Sequence, residues 1–389
     1  MYVKRNIDLS QILKNKSLFL FGPRQTGKTS YIKNQLTIEP VLKYNLFNAN
    51  VFLDLSSDPS LIRKTVEAYD YKDCLIVIDE IQELPILLNE VQLMIDERNI
   101  KFLLTGSSPR KLKRQSCNLL GGRARWKNFN ALSYFELLNN NISPNLNLIL
   151  NNGLVPSIYL SDDPEEDLIS YTSLYLTQEI KAEGITRKLL DFTRFLKVAA
   201  LSNSKEINYT KIANDAQTNN QAVMQWFGVL EDTLLGFFLE PYRKLETRKS
   251  ISRKKFYFFD TGVARVLKHG PKINSSTDTD FGEYFEQFII LEIKKYIDYK
   301  NPRTQLNYIR TNTGFEIDCL LNKEIAIEIK SCNKINERHY KNLKLLKETY
   351  IKRKIIVCTT DTYYIEEDIE IMPFKFFIEK LWNDEILFR

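Results

Sequence analysis

Residues 17–36 read SLFLFGPRQTGKTSYIKNQL, and their reading decides the fold of the first third of the chain. Leu18 to Phe21 form a short apolar strand. The segment Gly22-Pro23-Arg24-Gln25-Thr26-Gly27-Lys28-Thr29 then matches G-x-x-x-x-G-K-[ST] at every fixed position, the Walker A pattern. Gly22 and Gly27 let the backbone curl so that its N–H groups face phosphates. Lys28 reaches the β/γ-phosphates, and the Thr29 hydroxyl is placed to ligate Mg²⁺. A helix that opens through Ser30 points its positive end at the same anion. A chance glycine-rich turn needs neither the strand before it nor the helix after it. The spacing predicts an α/β P-loop domain that binds ATP.

Cys74 to Gln82, CLIVIDEIQ, is a continuous apolar run ending in Asp79-Glu80, as expected of a buried parallel strand. Behind a P-loop, Asp79 is expected to hold Mg²⁺ through the Thr29 shell, and Glu80 to polarise the attacking water. The next strand, KFLLTGSSP from Lys101 to Pro109, also ends in small polar residues. A hydroxyl of Thr105, Ser107 or Ser108 can read the γ-phosphate there, and Ser107 is the candidate taken. Arg123 or Arg125, in NLLGGRARW, can serve as an arginine finger because a guanidinium matches developing phosphoryl charge. Arg123 is preferred.

The 389 residues suffice for two or three domains, and 43% apolar with 27% charged residues is ordinary globular composition. A net charge of +6 leaves any nucleic-acid affinity to local patches. Cys74, Cys117, Cys319, Cys332 and Cys358 are dispersed, which fits reduced thiols better than a disulfide framework. Two histidines, His269 and His339, argue against a zinc site. The charged N-terminus lacks a signal-peptide core, and no run of about 18 apolar residues predicts a membrane span. A cytoplasmic protein without membrane association is expected.

In the middle, the acidic SDDPEED from Ser161 to Asp167 reads as a solvated loop. A short helix over Ile207–Gln217 and a second with Val223, Trp226, Phe227, Leu230 and Leu234 on one face predict a helix-turn-helix. PYRKLETRKSISRKKFYFFD then reads as a hairpin wing. Its Arg248, Lys249, Arg253, Lys254 and Lys255 can neutralise DNA phosphates. Interdomain packing is the plainer use of such a wing.

Toward the C-terminus, FGEYFEQFIILEIKKY from Phe281 reads as a helix carrying Glu286 near its apolar face. FEIDCLLNKEIAIEIK, Phe315 to Lys330, reads as two alternating strands joined by a tight turn. Alternation puts Glu316, Asp318 and Leu320 on one face, and Ala326, Glu328 and Lys330 together on the partner strand. Asp318, Glu328 and Lys330 can therefore converge. A hairpin with one wet face is the plainer reading.

GPRQTGKT, LIVIDEIQ, LLTGSSP and LLGGRA followed by NALSYFEL resemble the AAA-type P-loop ATPases that carry a C-terminal DUF4143 domain. The order and spacing agree across residues 15–140. This chain has Gly-Gly-Arg-Ala where that family often has Ala-Gly-Arg, and Asn-Ala-Leu-Ser-Tyr where Pro-Leu-Ser-Phe is usual; the second change slightly weakens the finger assignment but not the fold. A helix glutamate, a strand aspartate and Glu-x-Lys resemble the set of PD-(D/E)xK nucleases. That resemblance implies Glu286, Asp318 and Glu328 around Mg²⁺ or Mn²⁺, with Lys330 steadying the nucleophilic water.

The expectation is thus an α/β chain of four parts: a P-loop AAA-type ATPase domain at 1–140, a helical connector at 141–188, a winged-helix domain at 189–270 and a restriction-endonuclease-like domain at 271–389. It hydrolyses ATP with Mg²⁺ and acts on DNA, its nucleotide state controlling a DNA-binding, metal-dependent nuclease domain. The alternative is a regulatory NTPase switch whose C-terminal domain binds DNA or protein without cutting. A homo-oligomer is compatible with either.

Overall fold

The computed structural model describes residues 1–114, 120–175, 189–245 and 253–387. They form two compact units, one of Met1–Ala131 with Asp232–Leu234, the other of Leu132–Glu231 and Leu235–Arg389.

The first unit is built on a five-stranded parallel sheet in the order β2-β3-β4-β1-β5. Its strands are β1 (Ser17–Phe21), β2 (Leu42–Asn45), β3 (Leu75–Asp79), β4 (Lys101–Gly106) and β5 (Ala124–Asn128). Every residue of β1 and β3 is buried, as continuous apolar runs require when helices cover both faces of a sheet. Phe19, Phe21, Ile76, Ile78, Phe102 and Leu104 fill the core together with Val91 and Met94 of the helix Leu87–Arg98. Because all five strands are parallel, their C-terminal ends share one edge. That edge carries Gly22, Asp79 and Gly106, and the order reverses beside β1, where ligands bind in such sheets.

The second unit holds an eight-stranded sheet in the order β12-β13-β11-β10-β9-β8-β6-β7. Its strands are β6 (Gly236–Pro241), β7 (Lys255–Phe258), β8 (Leu306–Arg310), β9 (Glu316–Leu321), β10 (Ile325–Lys330), β11 (Arg353–Cys358), β12 (Tyr364–Glu366) and β13 (Ile369–Pro373). The expected hairpin is β9 and β10, with Leu321 opposite Ile325. Asn322 and Lys323 close it with φ values of 48° and 67°, left-handed backbone that asparagine tolerates well.

One expectation needs correction. The polar face of the hairpin is not wet: Asp318 is 7% and Glu328 2% exposed. β10 is an interior strand, parallel to β11, and the helices Phe281–Tyr299 and Glu337–Leu345 both pack against it. Apart from Asp232–Leu234, the residues after 131 cluster as one compact unit. β6 pairs with β8 in parallel, so strands read as a separate wing share the C-terminal sheet. The segment Tyr134–Asn139, expected in the ATPase domain, packs through Tyr134 on Phe288 and Phe374 of the second unit.

Helices Tyr209–Asp215 and Asn220–Asp232 occupy the predicted helix-turn-helix, and the side chain of Asn208 caps the first by accepting from Lys211 N–H. The second buries Val223, Trp226, Phe227 and Leu230 as periodicity predicted; Leu234 lies beyond its end. Among the described residues no helix is long and apolar enough to cross a membrane.

Candidate functional site

The helix Lys28–Asn34 begins directly after Gly27, whose φ of 95° only glycine adopts without strain. Gly22 is fixed by a different demand, since a Cβ there would lie 2.0 Å from the carbonyl oxygen of Phe129. Lys28 is buried and donates to the carbonyls of Gly22 at 2.6 Å and Pro23 at 3.2 Å. Thr26 Oγ1 donates to the Pro23 carbonyl at 2.8 Å, closing the loop on itself. Arg24 lies 5.5 Å over the Phe47 ring, Gln25 holds a φ of 63°, and Ser30 is exposed on the first helical turn.

Asp79 ends β3 and ties this loop to the neighbouring strand. It accepts from Thr29 Oγ1 at 2.9 Å and from Thr105 Oγ1 of β4. A hydroxyl and a carboxylate at that separation are hard oxygen donors of the kind Mg²⁺ takes, so Thr29 and Asp79 fit the ion the motif implies. Glu80 follows in the left-handed region, φ 63° and ψ 45°, a conformation that costs about 1 kcal/mol or more in a non-glycine residue. Its N–H donates to Thr105 Oγ1 at 3.3 Å, and its carboxylate accepts from Gln82 Nε2 at 2.5 Å. Burial raises the Glu80 pKa above the ordinary glutamate range, although the Lys28 charge and the Gln82 amide oppose the rise.

Arg123 is not at this edge. β5 runs parallel to β1 with Ala124 opposite Ser17, so Arg123 sits at the N-terminal end of the sheet and pairs with Asp96 at 2.6 Å. The five-residue strand spans roughly 15 Å, and in this chain Arg123 does not reach its own P-loop. Arg125 lies one step along the same strand, opposite Leu18.

Three further residues contribute to the site, and two of them, Arg5 and Gln82, carry no role in the sequence pattern. Arg5 is 4% exposed, donates to the carbonyl of Thr26 at 2.8 Å and that of Asn130 at 2.6 Å, and stacks 4.3 Å over Phe129. No motif marks it. Thr105, one of three candidate hydroxyls in its stretch, bonds both acidic residues. Gln82 stands two residues past Glu80 and donates to its carboxylate, a contact that no motif marks.

In the second unit the carboxylates are met by lysines. Asp318 accepts from Ile329 N–H at 2.8 Å and Lys330 Nζ at 3.2 Å, and Lys330 also pairs with Glu328 at 2.5 Å. Glu286, on the helix Phe281–Tyr299, accepts from Lys255 at 3.2 Å and from the Tyr257 hydroxyl at 2.7 Å. Lys255 pairs as well with Glu316 at 2.8 Å, which in turn pairs with Arg310 at 2.8 Å. Burial pushes Glu328 well above the glutamate range, and neighbouring Asp318 adds to the rise. Burial also opposes charge on Asp318, but Lys330, Lys255 and the Ile329 N–H outweigh it and hold its pKa below the usual range. Glu286 is raised, burial leading.

Asp318, Glu328 and Lys330 thus converge as expected, while Glu286 is bonded to Lys255 and Tyr257. Among the described residues no group of three or more His, Cys, Asp or Glu is arranged to hold a metal ion. The ammonium groups of Lys255 and Lys330 stand between the carboxylates. Lys255 itself is a correction: read as a DNA-facing residue, it is 3% exposed and bound into this cluster. Lys254 pairs with Glu240, and Arg253 is exposed. Arg248 and Lys249 lie outside the described residues, as does Cys117.

Residues 14–138 match a family model described as an AAA domain. Residues 144–276 match a domain of unknown function, DUF8612, and residues 281–377 match DUF4143. An AAA domain ahead of DUF4143 is the architecture that the motifs implied. An uncharacterized protein of Haemophilus influenzae is 23% identical over 403 residues, covering 95% of this chain and 96% of that protein. Among solved structures, domain III of the replication initiation protein DnaA from Thermotoga maritima is 11% identical. It covers 44% of this chain and 81% of that one at a TM-score of 0.23, a likeness too slight to carry an argument.

Proposed function

We propose that this chain binds and hydrolyses ATP and uses its nucleotide state to control a DNA-engaging second unit. The observation that carries the ATPase reading is the joint placement of Lys28, Thr29, Asp79 and Glu80 at one edge of a parallel sheet, Thr29 and Asp79 in direct contact. The AAA-domain match over residues 14–138 supports it. Gly22 to Ser30 wrap the phosphates with backbone N–H groups, and Lys28 leaves the Gly22 and Pro23 carbonyls for the β/γ-phosphates. Thr29 and Asp79 hold Mg²⁺, which neutralises charge on the phosphates when bound. Glu80 takes a proton from the attacking water, and Ser107 meets the γ-phosphate from β4. An arginine finger comes from another subunit, with Arg123 its candidate, which makes a homo-oligomer the active form. Steady-state ATP hydrolysis tests the reading. Lys28→Ala is expected to lower the rate about 1,000-fold or more, and an unchanged rate overturns it.

DNA as partner is supported by Arg243, Lys244 and Arg253, all exposed in the basic stretch that follows the helix-turn-helix elements in sequence. For the C-terminal cluster, the lysines lodged among Glu286, Glu316, Asp318 and Glu328 favour the second reading, a unit that engages DNA or a protein partner without cutting. Labelled DNA and RNA incubated with ATP, with and without Mn²⁺, decide between the two. Cleavage that Asp318→Ala and Lys330→Ala abolish would restore the nuclease reading.

A further inference from the structure

The short turn Ile81–Glu83 lodges Gln82 between the ends of β3 and β4, where it is 3% exposed. Its Nε2 lies 2.5 Å from Glu80 Oε2 and 3.5 Å from Ser107 Oγ. Its Oε1 is buried with no hydrogen-bond partner. The seat is tight: a Cβ on Gly106 would come within 2.3 Å of that Oε1 and 2.8 Å of the Phe21 ring. A buried amide oxygen without a donor is unfavourable, so nothing at that end of the side chain explains the seat. The amide is held there by its other end, which touches two residues of the proposed ATP site.

We propose that Gln82 is a positioning residue of that site, fixing the Glu80 carboxylate by one oxygen and linking it to Ser107. This rests on the ATPase reading above. Glu80 itself leaves β3 in left-handed backbone, and a buried carboxylate without a directed donor would rotate freely about its last bond. The donated hydrogen bond occupies Oε2 and leaves Oε1 to accept from water. The longer contact to Ser107 gives the same amide a second partner at the tip of β4. A change at the Ser107 hydroxyl, where the γ-phosphate is read, is thereby transmitted to the base.

Gln82→Met, which keeps the length and removes the donor, tests this in the full chain with Mg²⁺–ATP. The expected result is a kcat lowered about 100-fold with ATP affinity within about threefold of wild type. In a Glu80→Gln background the same change should have no further effect on the single-turnover rate, because Gln82 acts through Glu80. An unchanged or raised kcat, an equal loss in the Glu80→Gln background, or a parallel loss of affinity would overturn the assignment. Gln82→Glu, which keeps the shape and replaces the donor with a like charge, should also lower kcat. It serves where the methionine variant does not fold, and wild-type kcat in it would overturn the proposal. If wild type itself hydrolyses no ATP, the ATPase reading fails first, and the two failures are distinct.

Discussion

At the end of β3 the acidic pair Asp79 and Glu80 is held by neutral donors: two threonine hydroxyls on one, a glutamine amide on the other. Lys28 is nearby but spends its hydrogen bonds on backbone carbonyls. On β9 and β10 the donors are cations. Lys255 serves Glu286 and Glu316, and Lys330 serves Asp318 and Glu328. The difference has a chemical consequence. Carboxylates bonded to hydroxyls and amides keep their charge available to a cation and a water. Carboxylates bonded to lysines are already neutralised, and an arriving metal ion has to displace an ammonium.

The largest effect that would break this contrast is DNA cleavage. Wild type with Mn²⁺ is expected to leave labelled DNA intact; cleavage lost about 100-fold or more in Lys330→Ala would show that the lysine cluster opens. Next comes stability. Lys255→Met removes the cation shared by two carboxylates in a buried site, and breaking such a pair costs about 3–5 kcal/mol. That corresponds to a melting temperature lower by about 10 °C, and an unchanged value would mean the cluster is not what holds Glu286.

A smaller effect concerns pH. Because its pKa is raised by burial and by Asp318, Glu328 keeps its proton in the folded chain at pH values where the unfolded chain has released it. Folding therefore loses stability as pH rises from the unfolded value, near 4.3, through the folded one, and the loss is complete above it. Glu328→Gln removes that loss. Its melting temperature should exceed wild type by about 2–4 °C at pH 8 and by less at pH 5. A gain that grows toward acid would contradict the direction. Smallest is Arg253→Gln, expected to reduce the slope of log affinity for DNA against log salt by about 1.

The P-loop was legible because its function is written in the backbone: two glycines, a lysine and a threonine at fixed spacing need no partner from elsewhere to be recognised. The hairpin was legible by alternation, and its residues pair as expected. Its burial was not. That depends on β11 and on two helices distant in sequence, and a period of two says nothing about what covers each face. Lys255 failed for the same reason. Within RKKFYFF it looks like one more surface cation, and only the approach of the helix carrying Glu286 and of β9 reveals an interior partner. The place of Arg123 was not legible, because its motif spacing carries no strand direction, and the parallel register with β1 puts it at the far edge of its own sheet.

The claim that the β3 site is poised for hydrolysis is tested most directly by Glu80→Gln, with ATP binding and single-turnover hydrolysis measured on the same protein. ATP should bind with wild-type affinity and be hydrolysed about 100- to 10,000-fold more slowly. Hydrolysis at the wild-type rate would contradict it.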